Sequence, residues 1–222
     1  MCPGLSWQPD TLHPPLKIKK LTMAKRSEHT QEELKALVLS AAEAIVIEEG
    51  FSALKVRRIA AEIGYTVGSI YMVFTNMADL TMHINAKTLD AISAELEQVQ
   101  EYSAEQIIEA LAITYLTYAS ANFTRWHTIF NSVLISKTEI PDWYQEKVTA
   151  IFSHFERPFT ELAPELCDDH KKRVAQALWY SIHGICVLSL TGQDDKSRIN
   201  DIEQTLILLI RNFMSGWRKN SI

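Results

Sequence analysis

The stretch from Val56 to Phe74 constrains this chain more than any other. Val56, Ile59, Ala60 and Ile63 recur at the three- and four-residue spacing that lines one face of a helix. Gly64 follows at once, where a helix commonly ends in a left-handed residue that only glycine adopts without steric cost. A second helix then opens near Thr66 or Val67 and carries Ile70 and Phe74 inward, four apart on one face. Two short helices set at an angle by such a turn form a helix-turn-helix.

Everything around this motif reads as helix as well. Thr30-Gln31-Glu32-Glu33 is a capping box, in which Thr30 and Glu33 each satisfy a backbone donor at a helix start. Leu34, Leu37, Val38, Ala41, Ala42, Ile45 and Val46 then form a wide apolar stripe that ends at Gly50. Asn76 caps a long helix expected to run to about Tyr102, and Ser103 to Gln106 is a second capping box. Helices follow at Phe123 to Ile135, from Asp142 after Pro141, at about Asp168 to Thr191 and at about Ile199 to Trp217. No alternating strand pattern bounded by turn pairs appears, so the predicted fold is all-α. Residues 1–22 hold four prolines and no helical period and read as a mobile tail, with Met23-Ala24-Lys25-Arg26 as a natural start.

Glu49-Gly50-Phe51, Val56-Arg57-Arg58-Ile59-Ala60, Gly64-Tyr65-Thr66-Val67-Gly68-Ser69-Ile70-Tyr71 and Phe74 resemble, in order and spacing, the N-terminal domain of TetR-type transcriptional regulators. Two positions depart from that pattern. Lys55 stands where a capping Ser or Thr is usual, and Met77 where a phosphate-contacting Lys is usual. Trp179, His183 and Gly184 match a Trp-x-x-x-His-Gly signature of one C-terminal ligand-domain class. The resemblance implies a helix-turn-helix DNA-binding domain over 23–76 and a helical ligand-binding and dimerisation domain over 77–222. It implies a homodimeric, non-enzymatic repressor, released from a near-palindromic double-stranded DNA operator by a small-molecule effector.

Within that reading Lys55, Arg57, Arg58 and Tyr71 are placed for phosphates, and Thr66, Val67, Gly68 and Ser69 where bases are read. Ser69 can bond a base or a phosphate, Val67 can meet a thymine methyl, and Gly68 lets the backbone come close. An aromatic-rich band, Tyr115, Tyr118, Asn122, Phe123, Trp126, His127 and Phe130, joins Trp179 and His183 as candidate pocket lining, or is simply core. The last two helices each present an apolar stripe. Ile182 and Ile185 facing Leu206, Ile210 and Phe213 are the expected dimer interface, a four-helix bundle across a two-fold axis.

Charge and composition narrow the partners. The net charge is −5, yet residues 1–80 carry nine Lys/Arg against nine Asp/Glu. DNA affinity would rest on a local patch (Lys25, Arg26, Lys55, Arg57 and Arg58) rather than on the total. Three scattered cysteines and seven scattered histidines suggest neither a disulfide framework nor a metal site, and no cofactor motif appears. No run approaches the ~20 apolar residues of a membrane helix. There is no secretory leader pattern, and a cytoplasmic protein is expected. The competing class is an all-helical enzyme or ligand carrier whose N-terminal motif is merely structural.

Overall fold

The computed structural model describes residues 29–100, 103–131, 139–191 and 198–220. The expected tail, Lys25, Arg26 and the far end of the sixth helix lie outside them. Nine α-helices and one 3₁₀ turn follow in order among the described residues. The first group is α1 (Gln31–Glu49), the turn Phe51–Ala53, α2 (Val56–Ile63) and α3 (Val67–Tyr71). The second is α4 (Met77–Glu97), α5 (Ala104–Ala121), α6 (Phe123–Asn131), α7 (Asp142–Leu162), α8 (Asp168–Leu190) and α9 (Ile199–Asn220).

Both capping boxes form. Glu33 N–H donates to Thr30 Oγ1 at 3.2 Å and Thr30 N–H to Glu33 Oε2 at 2.8 Å. Ser103 and Gln106 repeat the exchange at 3.1 and 3.4 Å. Asn76 Oδ1 accepts from Asp79 N–H at 2.9 Å, which starts α4. That helix ends at Glu97, short of the expected Tyr102, with a turn that carries Val99 into the core. The apolar rhythm runs on through Val99, so periodicity alone overshoots the end.

Two apolar clusters share α4. The first holds Val38, Ala42 and Val46 of α1, Ile59 of α2, Ile70 of α3 and Phe74, and it takes Leu80 and Ile84 from α4. A three-helix unit of this size is marginal alone, and the first turns of α4 complete it. The second cluster begins at Met82 and gathers α5 through α9, with Trp126, Phe155, Phe159 and Leu178 buried at its centre. Polar pins fix the frame. Lys147 of α7 meets Asp90 of α4 at 2.6 Å, and Arg211 of α9 grips Glu109 of α5 with two bonds of 2.9 and 3.1 Å. His154 of α7 sits 2.9 Å from Ser93 of α4.

Three of the five expected dimer residues are taken up in the chain's own core. Ile182 and Leu206 are fully buried and Ile210 nearly so within the single chain, because α9 lies against α5 and α8 of its own protomer. Ile185 and Phe213 are half-buried on the same core. The apolar surface left outside is Tyr180 and Leu188 of α8 and Leu208 of α9, with Leu188 82% and Leu208 64% exposed.

Candidate nucleic-acid interface

Helix α2 closes on Gly64 at φ +70°, the left-handed conformation that favours glycine there. Tyr65 N–H then bonds back to the Ala60 carbonyl at 3.0 Å, which turns the chain sharply into α3. Thr66 caps α3, its Oγ1 accepting from Ser69 N–H at 3.1 Å and lying 2.9 Å from Ser69 Oγ. Ile70 and Phe74 are sunk in the first core and fix the rotation of α3. Thr66 and Gly68 are left exposed, Val67 and Ser69 half-exposed, and Tyr71 stands 44% exposed. Met72 is 69% exposed beside Tyr71, on a surface that sequence reasoning did not single out. Its apolar type and its place at the α3 C-cap gave no signal.

The basic residues divide. Lys55 and Arg57 are exposed, and Lys55 supplies no side-chain cap to α2. Arg58 is committed to the protein itself, with Nη2 2.9 Å from Glu49 and Nη1 3.1 Å from Glu62. Those two carboxylates hold its guanidinium pKa above the usual value. In the free protein Arg58 therefore staples α2 to the end of α1 while its side chain stays 46% exposed. Glu62, four residues on, is the one sequence-visible difference from Arg57, which has Ala61 at that spacing.

Sequence comparison supplies the deciding observation. Residues 38–83 match the family of bacterial regulatory proteins of the tetR type, and residues 108–213 match the tetracyclin repressor-like C-terminal domain. The chain belongs to the TetR family. It is a DNA-binding transcriptional regulator and not an enzyme. No curated protein matches its sequence. Among similar solved structures, a Rhodococcus sp. RHA1 protein of unknown function superposes with TM-score 0.66 at 20% identity, over 86% of this chain and 98% of that one. PfmR, a TetR family regulator from Thermus thermophilus, gives 0.56 at 15% identity, over 78% and 96%. BioQ, solved with its double-stranded DNA operator, gives 0.56 at 18% identity, over 79% and 96%. At such identities these likenesses concern the fold. Among the described residues no helix of this regulator is long and apolar enough to cross a membrane.

The C-terminal domain of this TetR-family chain holds a cavity of about 60 Å³. Leu89 and Ile92 of α4, Tyr115 of α5, and Ile129 and Phe130 of α6 form part of its wall. Val148, Ile151 and Phe152 of α7 and Trp179 of α8 complete it. Behind this wall runs a hydrogen-bonded chain. Trp126 Nε1–H donates to Tyr115 Oη at 2.8 Å, and Tyr115 Oη lies 2.9 Å from His183 Nδ1. Burial pushes the Tyr115 phenol well above its usual pKa and pulls the His183 imidazole down to about 4. The His183 ring stacks on Trp179 one turn earlier, at 5.9 Å, which accounts for the spacing of the Trp-x-x-x-His signature.

Of the nine residues expected at the pocket, Tyr115, Phe130 and Trp179 line the cavity, and Trp126 and His183 support it from behind. The other four do not reach it. Tyr118 faces the Arg125 and Glu43 charges, and Asn122 caps α5 by donating to the Tyr118 carbonyl. Phe123 and His127 stack on each other at 5.0 Å.

Between the two regions lies an ion cluster that sequence reasoning missed. Glu43 of α1 receives Arg125 of α6 at 2.8 Å and Lys87 of α4 at 3.0 Å. Its side chain and that of Arg125 are only 19% and 23% exposed. A second bridge is aromatic: His83 of α4 stacks on Trp143 of α7 at 4.6 Å and meets Phe74 edge-on at 5.5 Å. These residues are far apart in the chain, so no local pattern marks them.

Proposed function

We propose that this regulator is a cytoplasmic repressor that binds a near-palindromic operator as a homodimer and leaves it when a small molecule enters the C-terminal cavity. One observation carries the reading: α6 bears cavity wall and interdomain contact together. Ile129 and Phe130 line the cavity, while Arg125, on the same nine-residue helix, grips Glu43 of the DNA-binding domain. A ligand that prefers a displaced α6 must, by linkage, weaken whatever the Arg125–Glu43 contact favours. If that contact holds the operator-competent arrangement, ligand and operator compete.

On the DNA side, Lys55, Arg57 and Tyr71 position the backbone, and Thr66, Val67, Gly68 and Ser69 approach the base edges. The dimer forms through the outward face of α8 and α9. Leu188 and Thr205 line one groove there, and Leu208 lies one turn beyond Thr205. A two-fold bundle of these helices would set the recognition helices about 34–36 Å apart. Electrophoretic shifts with genomic fragments test the reading. Specific retardation by a dimer is expected, and no specific retardation with any fragment would favour a ligand carrier instead.

A further inference from the structure

The cavity also says what kind of molecule it takes, given the reading above that it is the effector site. We propose that the effector is an uncharged, carbon-rich molecule, and that one as large as a ring enters by displacing Phe130. The lining contributes no Lys, Arg, Asp or Glu. Its polar side-chain groups are the Trp179 indole N–H and the Tyr115 hydroxyl, and the hydroxyl is already engaged by Trp126 and His183. An ion placed here would lose its hydration and meet no counter-charge, at a cost of several kcal/mol. A neutral apolar molecule loses little and gains aromatic contact with Phe152 and Trp179.

Size supplies the second half. The cavity measures about 60 Å³, whereas an apolar cavity of about 150 Å³ is the kind known to hold benzene. A ring-sized guest therefore needs a wall to move. Most lining side chains are buried or half-buried, while Phe130 is 44% exposed and stands at the outer edge. Phe130 lies on α6 five residues after Arg125, so the wall that yields is the one tied to Glu43.

Calorimetric titration of the full-length dimer with neutral and anionic pairs of matched shape tests this: toluene against benzoate, and 1-octanol against octanoate. The neutral member of each pair should bind about a hundredfold or more tightly than its anion. Val148→Trp should abolish that binding by filling the cavity, and Phe130→Ala should strengthen it by opening the wall. Phe130 is exposed enough for that variant to fold even if Val148→Trp does not. Anions binding as well as the neutral members would overturn the proposed class while leaving the cavity as the site. Neutral binding that neither variant alters would overturn both, as would the absence of binding by all four probes.

Discussion

The helix-turn-helix is assembled from neighbours in the chain, whereas the cavity draws its wall from five helices spread between Leu89 and Trp179. In the first region each turn of chain is set by a contact a few residues away: Thr66 to Ser69, Gly64 to Ala60, Thr30 to Glu33. In the second, the decisive bonds join residues far apart, Tyr115 to His183 and Glu43 to Arg125. The first can be read locally and altered locally. The second answers as a unit, joined to α1 through Glu43, which pairs with Arg125 of α6 and with Lys87 of α4.

The largest effects separate outer from inner faces of α8 and α9. Replacing Leu188 and Leu208 together by Glu should leave a folded monomer, seen by sedimentation, and abolish operator binding. Leu206→Ala should instead destabilise the protomer by about 2–5 kcal/mol in thermal unfolding, because it opens a void in the chain's own core. If the Leu188/Leu208 variant stays dimeric, the interface lies elsewhere.

Next come substitutions confined to the recognition helix. Gly68→Ala meets nothing closer than Thr66 Oγ1 at 3.7 Å, so the fold tolerates it. Operator affinity should still fall if the DNA backbone comes close there, and Tyr71→Ala should cost about 1–3 kcal/mol of binding at fixed salt. Unchanged titration curves for both would mean that another surface reads DNA.

Much of this was legible beforehand. Capping boxes at Thr30 and Ser103 and the Gly64 turn rest on interactions within a few residues, which sequence displays. The apolar stripe of Ile182, Leu206 and Ile210 was equally visible, but a stripe says that a face is covered, not by what. On α9 it is covered by α5 and α8, and on α8 by α7 and α9, all of the same chain. The Glu43–Arg125 pair had no local signature at all, and of the two partners of Arg58 the sequence displays Glu62, four residues on, but not Glu49.

That last contrast predicts a smaller effect. Arg57→Ala should weaken operator binding and reduce the salt slope by about 1, as expected for one lost phosphate contact. Arg58→Ala should change the slope less, since its charge is already matched by two carboxylates. Equal slopes for the two variants would show that Arg58 leaves its partners on DNA.

The smallest effect is a pH dependence. His183 has its pKa lowered from 6.5 to about 4 by burial, so between those values the unfolded chain binds the proton that the folded chain refuses. Stability is fully present above about pH 6.5 and declines as pH falls toward 4. His83 and His154, also lowered mainly by burial, act in the same direction. Denaturant titrations across this range should show a shallower decline for His183→Gln than for the parent. A parallel decline would mean that the histidine is not held neutral by its surroundings.

The coupling between the two regions is measured most directly by operator affinity with and without a saturating neutral aromatic probe, in the parent and in Arg125→Gln. The parent should lose affinity on adding the probe by a factor within the roughly 5–150-fold range usual for such coupling. Arg125→Gln should bind both probe and operator, yet show a factor falling toward one, and Glu43→Gln should match it. An Arg125→Gln protein that the probe still releases as fully as the parent would contradict a signal carried by α6.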